Sequence, residues 1–197
     1  MPNAFRTLIC AAFIASALAP ARSAEEKVIA LSFDSVEGLT CKPVFKCIEA
    51  TAHAVEADRR EGACSVNTTW KSAKNSYGTF SLSAEIPPTD FTGKSFAVAV
   101  KPLNPDASGW GIELIDVNGR RAEEYRLFEA PPNQWTVLMF TQGVKPKFGW
   151  FEQTKDGDIK RIAKIGFRAQ TRAGGQTGMA LWDDFRIISA DAAENIA

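Results

Sequence analysis

The feature that most limits the fold of this chain is a two-residue alternation of side chains, repeated in short segments between turn signals. In the segment 95–100, for example, Phe96, Val98 and Val100 are separated by alanines. Successive side chains of a β-strand point to opposite faces of a sheet, so this period indicates strands with one face on a core. Helical periodicity is nearly absent.

Nine segments are predicted to be strands by this criterion: 28–33, 64–69, 78–84, 95–100, 110–116, 123–128, 135–140, 161–169 and 179–188. Turn signals lie between them, and Asn118-Gly119 predicts a hairpin because both residue types tolerate positive φ. The segment 48–60 fits a helix and a strand equally well and is left open. Short strands joined by polar turns predict an all-β protein, an antiparallel β-sandwich or jelly roll.

The amino terminus has the pattern of a secretory signal peptide. Arg6 precedes an uncharged apolar run at 8–19, and an A-x-A cleavage pattern follows at 19–21, with cleavage after Ser23 or Ala24 as alternatives. The run is shorter than the ~20 apolar residues that a membrane span requires. We therefore predict a secreted or periplasmic protein without a membrane span, consisting of a signal peptide at 1–24, a single domain at 25–190 and a frayed tail at 191–197.

The charge and the histidine content exclude several function classes. The 23 basic and 23 acidic residues balance, so no net positive charge points to nucleic acid or to an anionic membrane surface. His53 is the single histidine of the sequence, which excludes metal sites built from several histidines.

The cysteine count predicts one disulfide and one thiol in the exported protein. Removal of the signal peptide leaves Cys41, Cys47 and Cys64, an odd number for an oxidising compartment. A Cys41–Cys47 disulfide is favoured because closing a short local loop costs the least chain entropy. A bridge from Cys64 to either of the other two is left open.

Seven short motifs follow one another along the mature chain. They are LSFDS at 31–35, EGACSV at 61–66, FTGKSFAV at 91–98, IDVNG at 115–119, NQWTV at 133–137, IAKIGF at 162–167 and LWDDFRI at 181–187. Their order resembles the galactose-binding-like jelly-roll family, to which many carbohydrate-binding modules belong. The resemblance implies a jelly-roll β-sandwich and a non-catalytic carbohydrate-binding function. The stretch from Cys41 to Arg60 departs from the family pattern and is interpreted as an insertion near one rim.

The resemblance also implies a structural calcium ion, which in the family is often held between the opening acidic strand and a closing Asp-Asp pair. Asp34 and Asp183 match these positions, and Ca²⁺ prefers carboxylate and carbonyl oxygens. Asp183 is chosen over Asp184 because Asp184 shares a strand face with Trp182. The alternative is that these aspartates are solvated or paired with arginine.

Aromatic side chains are the candidates for stacking on the apolar C–H faces of sugars. Trp150 and Phe151 lie in a segment rich in Lys, Pro and Gly and are predicted to form a ring platform in a loop. Trp70 precedes a polar turn and is a second candidate, with Tyr125 as a further ring. Trp135 matches a core tryptophan of the family and is interpreted as buried.

The side chains that alternate with the apolar set are predicted to form a polar stripe. Its members are Lys101, Glu113, Arg126, Lys164, Arg168 and Gln170. Solvation of an open sheet face is their ordinary role. If Arg126 and Arg168 bind a carboxylate through bidentate hydrogen bonds, the ligand is an acidic glycan such as a uronate polymer.

Enzyme activity is uncertain from the sequence. No nucleophile elbow, phosphate-binding loop or glycosidase carboxylate pair is found in it. A jelly-roll polysaccharide lyase or hydrolase stays open, with Tyr77 and Tyr125 as the two tyrosines of the chain. The expected partner is a polysaccharide or oligosaccharide. The alternative is an envelope protein, bound by a periplasmic structural domain of the same fold.

Overall fold

The computed structural model describes residues 31, 33–91, 94–127, 130–141, 149–153 and 161–189, with the backbone alone at 141, 149–153 and 189. The predicted signal peptide at 1–24 and tail at 191–197 lie outside these residues. Of the predicted strand at 28–33, Leu31 and Phe33 are described, and neither is in a strand.

The described residues form eleven β-strands. They are β1 (Leu39–Phe45), β2 (Cys47–Val55), β3 (Ser65–Ser72), β4 (Thr79–Thr89), β5 (Lys94–Pro102), β6 (Ala107–Asp116), β7 (Arg121–Leu127), β8 (Thr136–Thr141), β9 (Gly149–Gln153), β10 (Ile162–Thr171) and β11 (Thr177–Ser189). Eight of the nine predicted strands are confirmed, and the open segment 48–60 is mostly strand β2. This part of the chain contains no helix able to cross a membrane.

The strands pack as two sheets, each with antiparallel pairing. The six-stranded sheet has the order β1-β4-β10-β6-β7-β9, and the five-stranded sheet has the order β2-β3-β11-β5-β8. Most strands that follow one another in the sequence lie in different sheets, so the chain crosses repeatedly between the two layers. The predicted antiparallel jelly-roll β-sandwich is therefore confirmed.

An aromatic core fills the space between the sheets. The indole of Trp182 on β11 lies 5.6 Å from the ring of Trp110, 5.9 Å from Phe167 and 6.4 Å from Phe80, measured between ring centroids. All four side chains are fully buried. The Trp182 indole N–H donates to Thr68 Oγ1 at 2.9 Å, which satisfies its polar group inside the core. These contacts join strands of both sheets.

The segment interpreted as a rim insertion is instead an integral part of the sandwich. β1 is an edge strand of the six-stranded sheet, β2 is an edge strand of the five-stranded sheet, and Lys46 joins them with a φ of 44°. Pro43 obscures the strand pattern of β1, but an edge strand tolerates proline because it pairs on one side. This corner closes one side of the sandwich.

All three cysteines of the described chain are free thiols, so the predicted Cys41–Cys47 disulfide is not formed in the structure. Cys41 and Cys47 are half-buried on the two strands of the corner, and both pack against the core. Cys47 Sγ donates to the carbonyl oxygen of Glu49 at 3.0 Å. Burial, together with the nearby Cys47, raises the pKa of Cys41 to about 11.

Candidate functional site

The outward face of the six-stranded sheet carries a band of polar side chains. Arg168 on β10 lies opposite Ser81 on β4 and Gly111 on β6, and Gly111 lies opposite Tyr125 on β7. The residues that alternate with this row, such as Phe167, belong to the core. We call this surface the polar face, and its members are Lys42, Ser81, Ser83, Glu113, Glu123, Tyr125, Lys164, Arg168 and Gln170.

An ion-pair network forms the centre of the polar face. Glu113 and Glu123 lie directly opposite each other on β6 and β7, where two like charges would repel. Arg168 binds both carboxylates, with 3.1 Å to Glu113 Oε1 and a short contact to Glu123 Oε1. Arg121 lies 3.5 and 3.7 Å from the same two glutamates. The Arg168 guanidinium therefore balances charges of the protein itself.

Tyr125 beside this network is held in its neutral form. Burial is the main cause that raises the pKa of its phenol above the usual value, and Glu123 adds to the rise against the opposing effect of Arg168. A general base works best with a pKa near the operating pH. The shift moves the pKa of the Tyr125 phenol away from that range.

Two polar atoms of the polar face have no hydrogen-bond partner within the described part of the chain. They are Ser83 Oγ and Arg168 Nε, and both are buried. Buried polar atoms are nearly always paired in folded proteins, by protein groups or by ordered water. Around this floor, Lys42 is exposed, and Lys164 and Gln170 are half-exposed. The accessible side chains of Lys42, Lys164 and Gln170 thus offer hydrogen-bonding groups to a ligand rich in hydroxyls, whereas the two unpaired atoms lie buried beneath them.

The predicted ring residues do not assemble as expected. Trp70 is fully buried, with its ring 4.6 Å from Phe80, so it belongs to the core and is not accessible as a platform. Trp150 and Phe151 lie on edge strand β9 instead of in a loop, where their backbones pair opposite Tyr125 and Glu124. Their side chains lie outside the description.

The two arginines predicted to act together lie on opposite sides of the six-stranded sheet. Arg168 faces outward, whereas Arg126 points between the sheets, where it pairs with Glu124 at 2.8 Å and donates to the carbonyl oxygen of Met139 at 2.7 Å. Arg126 and Arg168 therefore cannot bind the same ligand carboxylate. Lys101 of the predicted stripe lies on the other sheet and binds Asp58 at 2.6 Å.

The structure has an aromatic pair at the edge of the polar face that was not predicted from the sequence. Phe45 at the end of β1 lies opposite Thr79, and its ring centroid is 5.2 Å from that of Tyr77. Thr79 in turn lies opposite Gln170 on β10. The single sequence signal for Tyr77 is its place beside a glycine at the start of a strand, and Phe45 lies in the segment that was interpreted as an insertion.

The structure brings the two predicted calcium ligands into one small cavity. Asp34 and Asp183 line it together with Glu61 and Asp184, and its volume is about 90 Å³. The carboxylate chemistry of this wall matches the preference of Ca²⁺ for oxygen ligands.

The oxygens of this cavity are, however, already hydrogen-bonded to protein donors. Asp183 Oδ2 accepts the backbone N–H groups of residues 60 and 61, and Asp34 Oδ1 accepts those of residues 63 and 64. Gly62, with a φ of 62°, lets the loop turn both pairs of N–H groups toward the carboxylates.

A guanidinium supplies the positive charge at this cavity. Arg186 binds both oxygens of Asp184 and lies 2.6 Å from Glu61 Oε1. No group of three His, Cys, Asp or Glu side chains in the described ranges is arranged to hold a metal ion. The donor set as it stands does not fit a calcium ion, which stays a prediction without support from the geometry.

Comparisons with known proteins support the fold. No protein-family model and no curated protein sequence matches the chain. The family 11 carbohydrate-binding module of a Clostridium thermocellum cellulosomal cellulase superimposes with a TM-score of 0.58 at 13% identity, covering 85% of this chain and 97% of that one. The complex of such a module with a β-1,3-1,4-mixed-linked tetrasaccharide gives 0.56 at 13% identity, covering 84% and 96%.

Part of an enzyme has a similar structure. An exo-β-agarase gives a TM-score of 0.55 at 16% identity, covering 83% of this chain and 24% of the agarase. At these identities the likeness shows the fold alone, which is the β-sandwich of carbohydrate-binding modules.

Proposed function

We propose that this protein binds a glycan, without catalysis, through its polar face. The chain has the β-sandwich fold of carbohydrate-binding modules. The observation that carries the proposal is the polar face itself, in which exposed Lys42 and half-exposed Gln170 and Lys164 surround a nearly buried polar floor. Sugars are bound by such groups of polar side chains that fix hydroxyls.

An acidic glycan is the finer form of this proposal. The guanidinium groups of Arg126 and Arg168 are committed to glutamates of the protein, so a ligand carboxylate would be bound by Lys42 or Lys164 as point charges. A neutral glycan needs no such charge. Comparing affinities for oligogalacturonate and for a mixed-linkage β-glucan tetrasaccharide, at low and high salt, separates the two, because charge pairing at the surface is screened by salt.

The test of glycan binding uses a matched lysine control on the other sheet. A glycan array and affinity electrophoresis with soluble polysaccharides would be run on the wild type and on Lys42→Ala combined with Gln170→Ala. Lys71→Ala, which is exposed on β3 of the five-stranded sheet, is the control. We expect binding by the wild type and the control and a loss of about tenfold in the double variant, or ~1.4 kcal/mol. Absence of binding across neutral and acidic glycans would reject the proposal.

We also propose that the protein is exported to the periplasm or secreted. The proposal depends on the pattern of the first 24 residues and requires a test of location. A carboxy-terminally tagged chain that includes residues 1–24 should appear shortened in the periplasmic or extracellular fraction. The same chain without residues 1–24 should stay in the cytoplasm and should not be cleaved. An unprocessed full-length chain in the cytoplasm would contradict export.

A further inference from the structure

We propose that Phe45 and Tyr77 form a stacking platform for one sugar ring at the β1 edge of the polar face, an inference that depends on the proposed glycan binding. Both rings are exposed, with 44% of Phe45 and 42% of Tyr77 accessible to solvent. Their centroids lie 5.2 Å apart with an angle of 36° between the ring planes. The two rings are therefore in contact with each other, and each keeps part of its apolar surface accessible to solvent.

Two exposed rings in contact are stronger evidence for a binding site than a single exposed apolar residue is. Burying apolar area stabilises a protein by about 25 cal/mol per Å², so two accessible rings side by side forgo stabilisation. Val44, next to Phe45 in the chain, is also exposed. Contiguous exposed apolar surface of this kind marks interaction sites in soluble proteins.

The two chain segments that carry the rings are fixed to each other. The backbone N–H of Ala73 donates to the carbonyl oxygen of Lys46 at 2.8 Å. Gly78 lies so close that a Cβ there would be 2.9 Å from the same carbonyl oxygen, and its N–H donates to Thr171 Oγ1 at 2.9 Å. The backbone segments that carry the rings are thus held in place before a ligand arrives, which reduces the entropy lost on binding.

The surroundings of the platform match the mixed surface of a sugar. Lys46 Nζ lies over the Phe45 ring, 5.4 Å from its centre, and provides N–H donors next to the exposed rings. Sugars present C–H groups on one face of the ring and hydroxyls at its rim, and amphipathic aromatic sites bind such a surface.

The position of the platform extends the ligand along the polar face. Phe45, Thr79 and Gln170 lie in register on three neighbouring strands, β1, β4 and β10. Neighbouring strands are about 4.8 Å apart, which places Phe45 and Gln170 roughly 10 Å from each other along the hydrogen-bonding direction. An oligosaccharide running across the strands can contact both, so we expect the affinity to rise with chain length.

The test compares ring removal with ring conservation at the same position. Phe45→Ala, Tyr77→Ala and Tyr77→Phe would be titrated with the mixed-linkage β-glucan tetrasaccharide, agaro-oligosaccharides and oligogalacturonate by calorimetry. Ile48→Ala is the matched control, since Ile48 is 61% exposed in the same corner and carries no ring. We expect each ring-to-alanine variant to lose about tenfold or more in affinity, while Tyr77→Phe and Ile48→Ala stay within about twofold of the wild type. Circular dichroism and melting curves check that every variant is folded.

The outcomes separate this inference from the proposed function. The first case is that the wild type binds a probe, the double variant Lys42→Ala with Gln170→Ala binds it more weakly, and the ring variants bind it as tightly as the wild type. In that case the platform is rejected and glycan binding by the polar face stands. If the ring variants lose affinity and Ile48→Ala does not, the platform is supported. A wild type that binds none of the three probes rejects both, and equal losses in Ile48→Ala and Tyr77→Ala assign the corner a structural role instead.

Discussion

At the scale of single residues, the partners of a side chain decide its chemistry. Arg168 has the sequence context of a surface arginine, with polar alternation on both sides. In the fold it binds Glu113 on the neighbouring strand β6 and Glu123 on β7, and it is nearly buried with them. A buried charge network of this kind is strongly destabilised when one member is lost, because the exposed Arg121, at 3.5 and 3.7 Å, compensates the remaining charges less closely.

Replacing Arg168 by methionine should therefore destabilise the protein by about 3–5 kcal/mol. The variant leaves Glu113 and Glu123 facing each other across two strands without the guanidinium that binds both. Urea unfolding followed by tryptophan fluorescence measures the change. Lys164→Met on the same strand and face is the control, and a loss for Arg168→Met no larger than the loss for this control would contradict the prediction.

The reactivity of Cys41 follows from its surroundings in the same way. With a pKa raised to about 11 by burial and by Cys47, its thiol should react slowly with iodoacetamide near neutral pH and faster as the pH rises toward that value. Mass spectrometry of peptides from the reduced, folded protein measures the rate at each pH. Rapid labelling of Cys41 at pH 7 would contradict this assignment.

The same two thiols provide a test of the predicted disulfide. Cys41 and Cys47 share one corner, and Cys47 adds to the rise in the pKa of Cys41, so incubation with a glutathione redox buffer should link these two, with the electrons passing to oxidised glutathione. A bridge that involves Cys64 would contradict the pairing.

At the scale of elements, one aspartate in the loop between β2 and β3 connects this loop to neighbouring segments through hydrogen bonds. Asp58 accepts hydrogen bonds from Lys101 on β5, at 2.6 Å, and from the indole N–H of Trp135 before β8, at 3.0 Å. Trp135 is half-exposed and hydrogen-bonded to this loop, which corrects its interpretation as a core residue. The hydrogen bond from Lys101 is the main cause that lowers the pKa of Asp58.

This lowered pKa predicts the direction of a pH effect. A carboxyl group with a folded-state pKa below its unfolded value of about 3.9 contributes stability above that value, and the contribution is lost as the pH falls through the folded pKa. Asp58→Asn should therefore melt below the wild type at pH 7, and the difference should shrink as the pH falls below about 4. Asp106→Asn is the control, and a constant difference between pH 7 and pH 3 would contradict the assignment.

The edge strands β1, β2 and β9 are the elements that the sequence predicts least well, whereas the edge strand β8 was found. β1 contains Pro43 and β9 is five residues long, so neither has the sustained alternation by which the inner strands were found. Inner strands such as β5 and β6 are buried on their core face along their whole length, and this burial imposes the period that the sequence displays.

At the scale of the whole molecule, the free energy of unfolding reports on any bound ion. A metal that binds the folded state adds stability by mass action, whereas a guanidinium within the chain does not depend on solution conditions in this way. The cavity at Asp34 and Asp183 receives backbone N–H donors, and Arg186 pairs with its other carboxylates.

We expect a chelator and millimolar Ca²⁺ to leave the melting temperature of the wild type unchanged, because protein donors already occupy the cavity oxygens. Arg186→Gln should lower it by several degrees, since 1 kcal/mol corresponds to about 2–4 °C in a domain of this size. Differential scanning fluorimetry measures both effects, with Arg59→Gln as the arginine control. A clear fall in the wild-type midpoint on chelation would support the predicted calcium site instead.

The site was predicted less completely than the fold. The alternation assigned Arg168, Lys164 and Gln170 to one polar surface, which the structure confirms as an arrangement of neighbours. It could not distinguish Arg126, which shares the polarity of these residues but faces inward at the margin of the sheet. Polarity along a strand shows which residues differ from the core residues. It does not show whether a polar side chain at the margin of a sheet faces outward or inward.

The sequence by itself determined the β-sandwich, because the inner strands display their buried face through a local two-residue period. Tertiary structure alone decided which surfaces meet. The pairing of Glu113 with Glu123 depends on neighbouring strands, the closure of the Asp34 cavity depends on residues more than one hundred positions apart, and the platform depends on the contact of Phe45 with Tyr77. These contacts follow from the order of strands in the sheets, and no local pattern encodes that order because it is the packing of the whole core that selects it.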